Sequence, residues 1–119
     1  MNCLDTYALI EVAKGNSEYV KLFEKEFLIT NETLAEFFWV VLRDFGSRLA
    51  EEWYKKLASY GTDVKQSLLI EAMRYRFEHK KENLSFFDCV GYLYAQTENH
   101  LFVTGDKEFK DKKGVLFIK

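Results

Sequence analysis

Four short apolar runs, NCLD at 2–5, FLIT at 27–30, LFVT at 101–104 and VLFIK at 115–119, are separated by longer stretches whose apolar residues recur at helical spacing. Strands that alternate with helices and carry few polar interruptions belong in a mostly parallel sheet covered by helices on both faces. The chain has no proline, so glycine and small polar residues punctuate it. Gly15, Gly46 and Gly61 each follow a helical stretch and are expected as C′ residues at positive φ, with Ser17, Ser47 and Thr62 as the N-caps that follow. At 119 residues the chain is long enough for one core and too short for two, so one domain over 1–119 is expected. It carries no basic, apolar leader and no run of the ~18 apolar residues that spanning a bilayer takes, which makes a cytoplasmic protein, with no membrane contact, the expectation. Cys3 and Cys89 are too few for a disulfide framework and His79 and His100 stand alone, so neither disulfides nor zinc is expected and both cysteines read as small buried residues.

In a sheet of this kind ligands gather beyond the carboxyl ends of the strands, where connections diverge. Asp5 ends the first run, and Asp106 follows the third through Gly105. Taken singly, Asp5 suits the N-cap of YALIEVAK and Asp106 suits a turn. Glu36 is the only polar side chain in LAEFFWVVL at 34–42, and Glu is almost never buried without a partner. It either pairs with a cation such as Arg43 or faces a metal. Asp88 has capping-box spacing from Ser85, while Gly91 and Ala95 share its helical face and make that side narrow enough to lie close to other backbone. Carboxylates brought from separate segments to one place repel one another and need a cation.

The order strand-Asp, Glu in an apolar helix, helix-start Asp, strand-Thr-Gly-Asp resembles the PIN-domain nucleases. The resemblance runs through LDTYALIEVAKG at 4–15, ITNETLAEFF at 29–38 and LSFFDCVGYLYAQTENHLFVTGDKEF at 84–109. At this length it is most similar to the VapC-like toxin ribonucleases. It implies an α/β fold, a PIN-like three-layer α/β/α sandwich with a mostly parallel central sheet of four to five strands. It also implies that Asp5, Glu36, Asp88 and Asp106 form an acidic quartet supported by the hydroxyls of Thr6 and Thr104, with Glu32 as the rival of Glu36. Tyr7 departs from the small polar residue usual after Asp-Thr, and the stretch 47–82 carries no diagnostic motif.

Acids without His or Cys favour Mg²⁺ or Mn²⁺, and such ions support in-line phosphodiester hydrolysis without a side-chain nucleophile. The family resemblance implies single-stranded RNA as substrate and products bearing a 5′-phosphate and a 3′-hydroxyl. A net charge of −2 argues against a protein that coats nucleic acid, but setting aside four neutralised acids leaves the remainder at +2. Basic residues cluster at 74–81 and at 107–113, and Lys107, Lys110, Lys112 and Lys113 are the candidates for holding substrate. Two alternatives stand beside the nuclease: a PIN-like binding module without catalysis, and a receiver-type phosphoryl-transfer domain. The helical stretches near 34–46 and 48–60 hold more apolar residues than one sheet face can cover. Phe38, Trp39, Leu42, Trp53, Tyr54 and Leu57 are therefore expected at a partner interface, and the resemblance implies a homodimer and a cognate antitoxin.

Overall fold

In the computed structural model, which describes residues 1–119, β1 (Asn2–Leu4) takes the middle of a five-stranded sheet. The order is β3-β2-β1-β4-β5, with β2 at Phe27–Thr30, β3 at Gly61–Thr62, β4 at Leu101–Thr104 and β5 at Val115–Phe117. Every neighbouring pair runs parallel. Helices α1 (Thr6–Ala13) and α2 (Ser17–Val20) join β1 to β2, α3 (Asn31–Phe45) and α4 (Ser47–Leu57) join β2 to β3, and α5 (Gln66–Glu78) and α6 (Phe86–Thr97) join β3 to β4. The three-layer α/β/α sandwich follows from the two-residue period of the strands. Leu4, Ile29 and Val103 enter one core with α1, α3 and α4, while Cys3 and Phe102 enter a second with α5 and α6, where Leu28 also packs. Both cysteines are buried and free.

The chain leaves β1 toward β2 on one side and leaves β4 toward β5 on the other, although β1 and β4 are neighbours. The carboxyl edge between these two strands is therefore the topological switch point of the sheet, where ligands bind in doubly wound folds. A receiver domain has the strand order 2-1-3-4-5. The order found here differs, and the receiver-type alternative falls on topology.

Several local expectations need correction. Gly46 does adopt positive φ, at 93°, but it ends α3 and begins α4 at once, which leaves Ser47 inside the helix without a capping bond. Asn16, not Ser17, caps α2 by accepting from the Glu18 amide. Gly61 has an extended backbone (φ −68°) and opens β3, with Thr62 paired to Thr30 in that strand, and α5 begins only after Lys65. The partner face is also redrawn. Ala50 and Leu57 are buried and Trp53 is half-buried, edge-on to Phe37, so these three form the inward stripe of α4. Leu57, at 1 % exposure, is a core residue and unavailable to a partner. Phe38 is half-buried against Tyr54, whereas Trp39, Leu42 and Tyr54 stay exposed, joined by Phe45.

Candidate active site

Asp5 stands where β1 gives way to α1, with the Asp5 amide donating to the Val103 carbonyl of the neighbouring strand. Its Oδ1 accepts from the Ala8 amide at 2.8 Å and so caps α1. Its Oδ2 is buried with no hydrogen-bond partner. Burial pushes the Asp5 carboxyl up from 3.8 to about 8, against the lowering pull of the nearby Thr104 hydroxyl and the Ala8 amide and with the charges of Asp88 and Asp106 adding to the rise. Holding an ionised carboxylate there without a cation costs several kcal/mol.

Glu36 reaches the same region from α3. Thr6, the first residue of α1, donates its hydroxyl to Glu36 Oε1, and Arg43 is taken by Asp44 at 2.8 Å, so the Glu36–Arg43 pairing does not form. Burial raises the Glu36 pKa, the Thr6 bond opposes this, and the charge of Asp88 adds to it. Glu32, one turn earlier, also has a buried oxygen without a partner, but Thr6 holds Glu36. Asp88 arrives on the first turn of α6 through a complete capping box. Its amide donates to Ser85 Oγ at 3.0 Å, and its Oδ2 accepts from the Ser85 amide at 3.3 Å. Burial raises its pKa too, opposed by the Ser85 hydroxyl and amide and reinforced by Asp106.

Asp106 follows β4 and caps the short 3₁₀ turn Lys107–Phe109 by accepting from the Glu108 amide at 3.0 Å. Its own amide donates to Thr104 Oγ1 at 3.0 Å. Between them Gly105 is buried under two aromatic rings. A Cβ there would collide with the Tyr7 ring and the Tyr19 hydroxyl and would lie 2.8 Å from the Ile118 carbonyl oxygen. Tyr7 thus packs on the backbone that carries Asp106, tilted against Tyr19 with ring centroids 6.1 Å apart, and leaves the Thr6–Glu36 bond intact.

Four acids from four elements thus face the switch-point edge, linked through Asp88: Asp5 feels the charges of Asp88 and Asp106, Glu36 that of Asp88, and Asp88 that of Asp106. Their oxygens are the hard donors that Mg²⁺ or Mn²⁺ prefers, and the orphaned Asp5 Oδ2 is a donor that nothing in the protein satisfies. The donor chemistry fits such an ion. As placed, however, no three acids are arranged around one point, and Glu36, Asp88 and Asp106 each engage a local hydrogen bond.

The four lysines diverge. Lys107, Lys110 and Lys113 are exposed, with the Lys110 ammonium 5.9 Å from the Phe117 ring centre. Lys112 is largely covered and paired with Glu82 at 2.7 Å, a partner that sequence reasoning misses because the two lie 30 positions apart and their pairing has no periodic signature. No helix is long and apolar enough to cross a membrane.

The family model for the PIN domain matches residues 3–115. No curated protein sequence is significantly similar. Among solved structures, the chain superposes on Mycobacterium tuberculosis VapC20, a Sarcin-Ricin loop cleaving toxin, with a TM-score of 0.81 and 17% identity over 97% of both chains. It matches a toxin-antitoxin complex from Klebsiella pneumoniae with a TM-score of 0.77 and 20% identity, covering 98% of this chain and 96% of that one. DNA-bound VapBC from Salmonella typhimurium gives 0.75 and 16% over 98% and 96%. At these identities the likeness is one of fold.

Proposed function

The chain belongs to the PIN-domain family, and from that premise we propose that it is a metal-dependent endoribonuclease of the VapC toxin type. The observation that carries the reading is the convergence of Asp5, Glu36, Asp88 and Asp106 on the switch-point edge, with Asp5 buried and one of its oxygens unpartnered. A site that holds like charges together at such expense in desolvation calls for a cation. These four residues would hold Mg²⁺ or Mn²⁺. When bound, the ion would lower the pKa of a water and offset charge on the scissile phosphodiester. The protein's own groups keep the acids in place: Thr6 orients Glu36, Ser85 orients Asp88, the Ala8 amide holds Asp5, and Thr104 accepts from the Asp106 amide. Lys107, Lys110 and Lys113 offer charge to an RNA backbone beside Asp106.

The exposed Trp39, Leu42, Phe45 and Tyr54 on α3 and α4 suit a protein partner, and the toxin-antitoxin complexes of similar fold support an antitoxin in that role, with a homodimer as the unbound form. Incubating mixed RNAs with the protein and Mg²⁺ or Mn²⁺, with and without EDTA and beside Asp5→Asn, tests the central reading. Cleavage should need the metal and vanish in the variant, and cleavage that survives both would reject it. A binding module without catalysis is the second reading, favoured by the absence of any three acids arranged around one point. Calorimetry that detects no Mg²⁺ or Mn²⁺ binding would select it.

A further inference from the structure

Of the six ion pairs in the molecule, five join residues no more than four positions apart, as surface helices do. The sixth, Lys112 Nζ to Glu82 Oε1 at 2.7 Å, links two distant connections and has the least exposed side chain of any cation in a pair, at 18%. Lys112 lies six residues after Asp106, in the β4–β5 connection, and Glu82 lies six residues before Asp88, in the α5–α6 connection. The pair therefore joins the two backbones that deliver those acids. Each backbone is also pinned by a buried apolar residue next to the pair. The Lys112 amide donates to the carbonyl of Phe109, which is fully buried, and Leu84, two residues past Glu82, is buried while its carbonyl accepts from Arg76 Nε at 2.9 Å. Tyr75 lies beneath the ammonium, 5.6 Å from ring centre to Nζ, and is itself stacked on His79 at 3.9 Å. The Tyr92 hydroxyl adds a second tie, from α6 to the Lys113 carbonyl at 2.9 Å.

We propose that Lys112 and Glu82 are positioning residues that clamp the α5–α6 and β4–β5 connections together and so set the spacing of Asp88 and Asp106. The chemistry is direct. Like charges on Asp88 and Asp106 repel, and an opposite-charge link between their supporting backbones opposes that repulsion without occupying either acid. Lys112 is therefore removed from the set of lysines that meet substrate.

The clamp rests on the nuclease reading only where cleavage is measured, so its test uses three readouts: RNA cleavage, Mn²⁺ affinity by calorimetry, and the amide signals of Asp88 and Asp106 by NMR with no metal added. Lys112→Gln and Glu82→Gln should each lower kcat by ~10- to 100-fold and weaken Mn²⁺ binding comparably, the range typical of groups that orient ligands. Both should leave KM and its salt dependence within about twofold, and both should move the Asp88 and Asp106 signals together. The exchange Lys112→Glu with Glu82→Lys should recover most of each loss, and Lys112→Arg should stay near wild type, which guards against a Gln variant that only unfolds. An exchange as defective as the single changes would overturn the clamp. So would a Lys112→Gln whose defect lies in a salt-dependent KM, since Lys112 would then touch RNA. If the wild-type chain cleaves no RNA, the nuclease reading fails, and the NMR signals of the exchange variant still decide the clamp.

Discussion

The carboxylate edge and the aromatic face of α3 and α4 both hold side chains against their own solvation, in opposite senses. At the edge an acid leaves water, and Asp5 is 2% exposed; on the face rings stay in it, with Trp39 at 56% and Phe45 at 62%. Departures of this sort mark places where a protein answers to something outside its own fold. The two differ in how they are made. The edge draws single residues from β1, α3, α6 and the end of β4, each already fixed by a cap or a hydroxyl, whereas the face belongs to one helical pair joined at Gly46. On the proposed function, chemistry would be a property of the whole sheet and association of a local surface, so substitutions should separate them.

The largest effects belong to the edge. Asp5→Asn, Glu36→Gln, Asp88→Asn and Asp106→Asn should each reduce metal-dependent RNA cleavage by ~100-fold or more with unchanged circular dichroism, because charge is removed and packing is not. Wild-type rates in any two would dissolve the quartet. Asp5 also makes a pH prediction. Its folded pKa, about 8, lies above the ordinary 3.8, so the folded chain binds the proton more tightly than the unfolded one. With no metal added, the contribution of Asp5 to stability is then fully present at low pH and is lost as pH rises between those two values. Asp5→Asn should flatten that fall and raise Tm at pH 8 by about 5 °C or more, as a relief of a kcal/mol or two would do in a domain of this size. A flat wild-type profile would show that the carboxylate is not strained.

Effects at the face should be smaller and of another kind. Leu57→Ala should cost about 3 kcal/mol in denaturant unfolding, since it empties a core site. Trp39→Glu should stay within about 0.5 kcal/mol of wild type and still lower the self-association seen by sedimentation velocity. Unfolding by Trp39→Glu would make the face part of the core and erase the contrast between the two regions. The smallest effect lies between them. Changing Lys107, Lys110 and Lys113 together to Gln should lower the slope of log affinity for RNA against log salt by about 2, at about 0.7 for each phosphate that no longer meets a lysine, with kcat preserved. An unchanged slope would leave these lysines as solvated surface.

The strands that were legible in the sequence were those with an apolar run. β3 was not, because Gly61 and Thr62 have no such run and are strand only through pairing with Ile29 and Thr30. The acids were legible as a set and ambiguous one by one, and the ambiguity was not a choice between exclusive roles. Asp5 and Asp88 perform the caps that their positions suggested, Asp106 serves the turn expected of it by capping Lys107–Phe109, and each also feels or exerts charge at the common edge. Leu57 is placed only by packing: Leu49, Ala50, Trp53, Tyr54 and Leu57 share one side of an otherwise charged α4, and only the packed structure tells the inward stripe of Ala50, Trp53 and Leu57 from the outward Tyr54. The Lys112–Glu82 contact was invisible because charged pairs far apart in sequence leave no periodic signature.

The central place of β1 also bears on how such a chain can be synthesised. One flank of β1 finds its partner once Phe27–Thr30 has left the ribosome, but the other flank waits for Leu101–Thr104, and Asp106 emerges about a hundred residues after Asp5. Contacts that span so much of the chain form late and slowly. Until then the nascent protein presents an open strand edge, an exposed route to mispairing that folding helpers would have to cover. For the same interval Asp5, Glu36 and Asp88 have no fourth member and no β4 to gather beside. On the proposed function, a ribosome translating this message would thus carry a chain whose acid set stays incomplete until the strand that supports Asp106 has joined the sheet.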